Sequence, residues 1–240
     1  MNYRKSSDQN IFSTRNKLKE IHGNNFFNLI DQYPLYACPQ TLLRYCKIYD
    51  LLKDALKIPG DICEFGTWKG STALFMAKIL NELEPQSKRK IIVFDTFQGL
   101  PPSTSQDGEF ALNQTKTYQG DKKNMENLID LFDLSDRFIL VEGLAEKTIP
   151  KFFDSNNPAL VSLAYFDFDL YEPTIKAWQY IKDRLLKGSI LAFDEGYDRE
   201  LWIGECKAVK EILNDKNFKY QIVSKQNIIS RQPEIIFNIC

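Results

Sequence analysis

Two short apolar runs in this chain end in acids. Leu163-Ala164-Tyr165-Phe166 leads into Asp167-Phe168-Asp169, and Ile190-Leu191-Ala192-Phe193 leads into Asp194-Glu195. Runs that are apolar throughout, rather than at alternate positions, read as strands buried on both faces. Such strands belong to parallel sheets, whose crossover connections cover both faces with helices, so the chain is restricted to an α/β architecture. Ligands of open α/β sheets bind outside the carboxyl ends of the strands, where these acids stand. If the two strands are neighbours, Asp167, Asp194 and Glu195 converge on one point. Unneutralised carboxylates so placed raise one another's pKa, so a cation is expected among them. Taken singly, each acid reads as a helix cap or a solvated loop residue; the set points to the cation.

The remaining elements fit that architecture. Residues 1–32 are rich in Asn, Lys and Ser with only a weak helical pattern (Ile11, Leu18, Ile21), and read as an arm or a peripheral helix. Tyr33-Pro34-Leu35-Tyr36 interrupts it, and a stronger helix is expected over 41–57, with Leu42, Leu43, Tyr45, Cys46, Tyr49, Leu51, Leu52 and Leu56 as its apolar face. Pro59-Gly60 ends it. Strands are expected at 61–65, 90–94, 138–142, 163–167 and 189–193, with helices at 71–83, 124–132, 174–186 and 204–213. Two last strands, 219–223 and 234–239, are expected to pair antiparallel. The whole is a doubly wound, mostly parallel sheet with helices on both faces and a C-terminal antiparallel hairpin. An arm over 1–40 and one domain over 41–240 follow. The polar, Pro- and Gly-punctuated stretch 99–120 is too long for a plain connection and reads as a lid or substrate loop.

Composition removes several classes of function. A formal charge of −1 leaves no electrostatic footprint for nucleic acid. No apolar run approaches a membrane span, and the N-terminus is too polar for a signal peptide. The five cysteines (Cys38, Cys46, Cys63, Cys206, Cys240) are odd in number and form no CxxC pair, so a reduced, cytoplasmic setting is expected. With His22 the only histidine, two-histidine metal sites cannot be built.

The first strand runs into Glu64-Phe65-Gly66-Thr67-Trp68-Lys69-Gly70-Ser71. This is neither the GxGxxG of a dinucleotide fold nor a P-loop. Glu64 would repel the phosphates that a helix N-terminus attracts, but suits a ligand carrying an ammonium. S-adenosylmethionine is such a ligand, although a plain strand-to-helix turn remains open for this motif alone. The second strand ends in Asp95-Thr96-Phe97, and an acid at that place hydrogen-bonds the ribose hydroxyls of an adenosine ligand.

These segments together resemble the macrocin O-methyltransferase family. The resemblance is carried by Pro59 to Gly70, Asp95-Thr96-Phe97-Gln98-Gly99-Leu100-Pro101, Val141-Glu142-Gly143 with Thr148-Ile149-Pro150, Asp167 to Thr174, and Gly188 to Glu195 followed by Gly204-Glu205. They lie in collinear order over about 41–213. The resemblance implies a class I methyltransferase acting on a deoxysugar hydroxyl, with magnesium or another divalent ion held by Asp167, Asp194 and Glu195. It also implies S-adenosylmethionine against Glu64, Gly66, Thr67, Gly70 and Ser71, with Asp95, Thr96 and Phe97 at the ribose and Gly143 near the adenine. The chain departs from the family pattern in two places: Phe168 stands where the family has a glycine between the two aspartates, and Asp194-Glu195 where it commonly has two aspartates.

Under that reading a metal ion acidifies the sugar hydroxyl, positioning supplies much of the rate, and Asp169 is the candidate general base. Tyr197 and Asp198 are lesser candidates. Tyr33, Tyr36 and the 103–119 loop are expected to form a lid. A catechol-like acceptor, or a binding protein that keeps the fold without catalysis, are the competing readings. The expected partners are a small sugar substrate and, through the 41–57 helix, a second copy of the chain in a homodimer; neither nucleic acid nor membrane is expected.

Overall fold

A computed structural model describes residues 29–155, 159–197, 200–224 and 235–240, together with a few positions between 16 and 23. His22, Asp198 and most of the expected arm lie outside the described residues. A short helical turn α1 (Tyr33–Tyr36) precedes α2 (Pro39–Ala55), and strand and helix then alternate: β1 (Asp61–Phe65), α3 (Ser71–Leu83), β2 (Ile91–Asp95). The long polar connection carries a short helix, α4 (Gly108–Leu112), before α5 (Lys122–Leu131) and β3 (Phe138–Glu142). Next come α6 (Ala145–Ser155), β4 (Val161–Phe166), α7 (Tyr171–Ile181), β5 (Leu185–Phe193), α8 (Ile203–Leu213), β6 (Tyr220–Ser224) and β7 (Ile235–Ile239).

The seven strands form one sheet in the order β3-β2-β1-β4-β5-β7-β6. The first five are parallel, while β7 runs antiparallel to both β5 and β6, as expected for the closing hairpin. Strand order reverses between β1 and β4, and this switch point is where an open α/β sheet leaves a crevice for ligands. In register, Phe65 pairs with Phe94 and Phe166, and Phe166 with Phe193. The residues that follow β1, β4 and β5 therefore emerge side by side with the end of β2.

Alternation of side chains divides the core into two layers. One face of the sheet packs Ile62, Val93, Leu163, Tyr165 and Ala192 under Ile48 and Leu52 of α2, with α3 and Met125 of α5 alongside. The other packs Cys63, Ile92, Ala164 and Leu191 under Phe153, Trp178 and Ile212 of α6, α7 and α8. On that second face Phe94, Phe65, Phe166 and Phe193 stack across four strands with ring centroids 5.2, 4.9 and 4.4 Å apart. Aromatic pairs in cross-strand register add to burial, and here they stiffen the strand ends that carry the acids. Phe168 joins this ladder, its ring 5.9 Å from that of Phe65. That accounts for the residue standing between two aspartates: it anchors the acid-bearing loop to the core.

Several boundaries differ from expectation for identifiable reasons. Helix α6 was not anticipated because Pro150 reads as a breaker; the ring sits inside the helix, while Ile149 and Phe153 supply its buried face at i, i+4. The expected helix at 174–186 begins earlier and stops at Ile181, and β5 starts at Leu185, so Lys187-Gly188 lies within a strand. In α2 the buried residues are Ile48, Leu51, Leu52 and Ala55, whereas Leu43 and Cys46 are exposed. Extending the inward row back one turn from Ile48 reaches Arg44.

Candidate active site

A cavity of about 520 Å³ opens at the carboxyl ends of β1, β2, β4 and β5. Glu64, Gly66, Thr67, Ser71, Asp95, Thr96 and Gly143 line it, together with Asp167, Asp169, Asp194 and Glu195. Phe97 and Gly70 do not. The Phe97 ring is buried in the core, and Gly70 is pressed against Met125 in the turn before α3. Tyr33 and Tyr36 are exposed and are not among the lining residues, whereas Leu100, Phe110 and Tyr118 of the long connection are. Tyr118 packs edge-on against Trp68 and Trp202, and Phe110 against Trp202, giving one aromatic wall.

Glu64 is almost fully buried and accepts a hydrogen bond from the Thr67 hydroxyl. Burial pushes its pKa up to about 8, with Asp167 and Asp95 adding to the shift and Thr67 and Arg44 opposing it. A buried carboxylate of that kind is poised to accept a cationic partner. Gly66 takes a φ of +88° where β1 leaves the sheet, so close to the next loop that a Cβ would stand 2.0 Å from the Asp167 carbonyl oxygen. Asp95 ties the turn together: Oδ2 accepts from the Thr67 and Trp68 amides at 2.7 and 2.9 Å, and Oδ1 from the Phe97 amide at 2.6 Å.

The acids after β4 and β5 come together with a cation that their spacing does not announce. Arg44 reaches between two of them, Nη1 donating to Asp194 Oδ1 at 2.6 Å and Nη2 to Asp167 Oδ2 at 3.3 Å. The Tyr165 hydroxyl donates to the same Asp194 oxygen at 2.5 Å. Burial alone would lower the pKa of Arg44, but Tyr165, Asp194 and Asp167 more than offset it and hold the guanidinium charged. Asp167 is pushed upward by burial and by Asp194, with Arg44 pulling the other way. Among the described residues no group of three acidic, histidine or cysteine side chains is disposed to hold a metal ion. Asp167, Asp194 and Glu195 line one cavity, and Arg44 bridges the first two.

Glu205, in the first turn of α8, is fully buried and accepts from the Asp169 amide at 3.2 Å and the Glu195 amide at 3.1 Å. Burial pushes its pKa well above the ordinary carboxylate value, and Asp167 and Asp169 add to the shift. Residue reasoning from the sequence missed Arg44, Tyr165 and the aromatic wall. Only Arg44 left a signal, as a lone cation on the buried row of an amphipathic helix.

The model for Macrocin-O-methyltransferase (TylF) matches residues 46–227. The chain belongs to the macrocin O-methyltransferase family. Within the family's neighbourhood it is 29% identical over 162 residues to a Streptomyces olivaceus protein, 8-demethyl-8-(2,3-dimethoxy-alpha-L-rhamnosyl)-tetracenomycin-C 4'-O-methyltransferase; the match covers 64% of this chain and 58% of that one. It is 25% identical over 184 residues to the demethyldecarbamoylnovobiocin O-methyltransferase of Streptomyces niveus, covering 72% and 64%. Both matches span less than two thirds of the relative. Among solved structures, the calicheamicin methyltransferase CalS11 superposes with a TM-score of 0.76 at 27% identity, covering 95% of this chain and 91% of that one. A second, ligand-free structure of that enzyme describes it as a TDP-rhamnose 3'-O-methyltransferase. Membership of this family and the seven-stranded sheet agree with the architecture expected from the two acid-ended runs. No helix among the described residues is long and apolar enough to cross a membrane.

Proposed function

We propose that this protein transfers a methyl group from S-adenosylmethionine to a hydroxyl of a sugar. The observation that carries the reading is one cavity lined both by a buried glutamate near the end of β1 and by a set of aspartates after β4 and β5. By their own descriptions, the relatives named above act on a rhamnosyl-tetracenomycin, on demethyldecarbamoylnovobiocin and on TDP-rhamnose.

The residues present fit the cofactor. Glu64 offers a desolvated carboxylate to an ammonium, Gly66 leaves room for close approach, and Asp95, Thr96 and Gly143 continue the lining toward β2 and β3. S-adenosylmethionine supplies an electrophilic methyl on a sulfonium. Asp169 receives the hydroxyl proton as the acceptor oxygen forms its bond to the methyl carbon and the carbon–sulfur bond breaks, yielding the methyl ether and S-adenosylhomocysteine. Alignment of oxygen, carbon and sulfur supplies much of the rate. Arg44 holds the Asp167 and Asp194 carboxylates apart from that proton transfer and fixes their rotamers.

A divalent ion does not fit the acids as they stand. Arg44 and Tyr165 already engage the facing oxygens of Asp167 and Asp194, and no third acid completes an oxygen cage among the described residues. The proposed steps therefore run through side chains alone.

The test is transfer of label from S-adenosylmethionine to glycosides and nucleotide-linked sugars. Asp169→Asn is expected to lower kcat by about 100-fold or more while S-adenosylhomocysteine still binds. Near-normal turnover in that variant removes Asp169 from the base role, and label transfer to a catechol but to no sugar overturns the acceptor class.

A further inference from the structure

Asp169 holds a left-handed backbone conformation, which aspartate tolerates better than most non-glycine residues but still at a cost. Its φ is +63°, in the left-handed region, which costs a non-glycine residue on the order of 1–2 kcal/mol. Strain of that sort persists only where the surroundings impose it, and it gathers at functional sites. Glu205 supplies part of those surroundings. Glu205 Oε2 accepts from the Asp169 amide at 3.2 Å, and the Glu205 amide donates back to the Asp169 carbonyl at 3.3 Å, so Asp169 is gripped on both sides of its Cα. Glu205 Oε1 meanwhile accepts from the Glu195 amide at 3.1 Å, on the loop that follows the neighbouring strand.

We propose that Glu205 is a positioning residue for methyl transfer: its buried carboxylate clamps the loops after β4 and β5 together and holds Asp169 in the conformation that presents its side chain to the acceptor. This rests on the reading of Asp169 as the base. The chemistry of the clamp is specific, because two amides from two different loops require two acceptor oxygens on one short side chain. A glutamine has the same shape but one acceptor; its NH2 would face an amide that has nothing to accept with. An aspartate is shorter by one methylene and cannot reach both loops from α8. The helix itself is fixed by close contact, for a Cβ on Gly204 would stand 2.2 Å from Asp107 Oδ1 and 2.8 Å from the Tyr171 nitrogen. Asp107, buried in the long connection, accepts from the Tyr171 amide at 2.7 Å. One end of α8 thus joins both acid loops to the segment that supplies the aromatic wall.

The experiment compares Glu205→Gln, Asp169→Asn and the double variant. Glu205→Gln is expected to lower kcat by about 10- to 100-fold, the usual effect of removing a group that orients a catalytic one, with S-adenosylhomocysteine affinity unchanged within about twofold. The double variant is expected to be no slower than Asp169→Asn alone, since both changes disable one unit. Unchanged kcat in Glu205→Gln, or multiplicative losses in the double variant, overturns the proposal; so does a parallel loss of kcat and cofactor affinity, which marks a merely structural role. Amide hydrogen exchange on the unaltered protein gives a reading independent of turnover and of variant folding. The Asp169 and Glu195 amides are expected to exchange more slowly than the other amides of their loops, and fast exchange at both overturns the clamp. If the clamp is protected but no sugar accepts a methyl group, the proposed function fails and the clamp stands.

Discussion

Replacing Gly66 by alanine tests the geometry on which the whole site depends. Three costs can be assigned from the structure. The backbone at φ +88° is a left-handed conformation, worth about 1–2 kcal/mol against alanine. The new Cβ would lie 2.0 Å from the Asp167 carbonyl oxygen and 2.7 Å from its carbon, both backbone atoms. Relief requires the β4 loop to retreat by about 1 Å, and forced repacking of that kind costs on the order of 1–3 kcal/mol. The retreat also strains the Asp167 amide bond to the Phe65 carbonyl at 2.8 Å, worth about 1 kcal/mol. The sum is about 3–6 kcal/mol, a large part of the ~5–15 kcal/mol that holds a domain folded. At roughly 2–4 °C per kcal/mol for a chain of this size, Tm is expected to fall by about 6–24 °C. Urea denaturation followed by tryptophan fluorescence measures the loss directly. Gly108→Ala is the control: its φ of +81° is similar, but the added Cβ meets only the side-chain end of Ile203, which can rotate away. A Gly66→Ala protein within about 1 kcal/mol of the parent, or no less stable than Gly108→Ala, refutes the claim that β1 and the Asp167 backbone touch here.

Two further outcomes follow from the charges. Arg44→Met leaves Asp167 and Asp194 facing each other without their cation, and is expected to cost about 3–5 kcal/mol of stability; magnesium that raises Tm in the variant but not in the parent would show metal and guanidinium competing for the same oxygens, whereas magnesium stabilising the parent at least as strongly refutes that. Glu64, held near 8 by burial, keeps its proton in the folded protein at pH values where the unfolded chain has lost it, so its contribution to stability falls as pH rises from about 5 to about 8. Glu64→Gln is expected to remove that slope, read as the difference between the two proteins' urea midpoints across the window. S-adenosylhomocysteine affinity in the parent is expected to strengthen over the same window as the carboxylate ionises, and identical pH profiles in parent and variant refute the assignment.

What the sequence made legible was whatever local pattern dictates. The β1, β2 and β3 strands could be placed because short, largely apolar segments between turn residues have few other structures open to them, and the acids at their ends followed from the rule for carboxyl ends. Pairing of β4 with β5 was needed for Asp167 and Asp194 to meet, and the register from Phe166 to Phe193 supplies it. The elements missed share a cause. Pro150 breaks a helix in the general case but is tolerated in α6, where Ile149 and Phe153 are buried against the sheet. Leu43 and Cys46 look apolar but are turned outward in α2, because the row through Ile48, Leu52 and Ala55 decides which face packs. Arg44 belongs to that row, 123 residues from Asp167, and no spacing within either segment announces a contact across that distance.

The acids at the carboxyl ends look in sequence like one cluster in want of one cation. In three dimensions three different devices neutralise or restrain them. Asp167 and Asp194 share a guanidinium brought by a helix that precedes the sheet. Asp169 and Glu195 are both held through their backbone amides by Glu205. Glu64 is set apart by burial and a threonine hydroxyl. Separate devices allow separate roles. Asp167 and Asp194 turn oxygens to Arg44 and Tyr165, whereas the contacts of Glu205 with Asp169 are made at the Asp169 backbone. Under the proposed function, oxygens already engaged by a guanidinium are the less available to an incoming hydroxyl, and that favours Asp169 over Asp167 as the group that meets it.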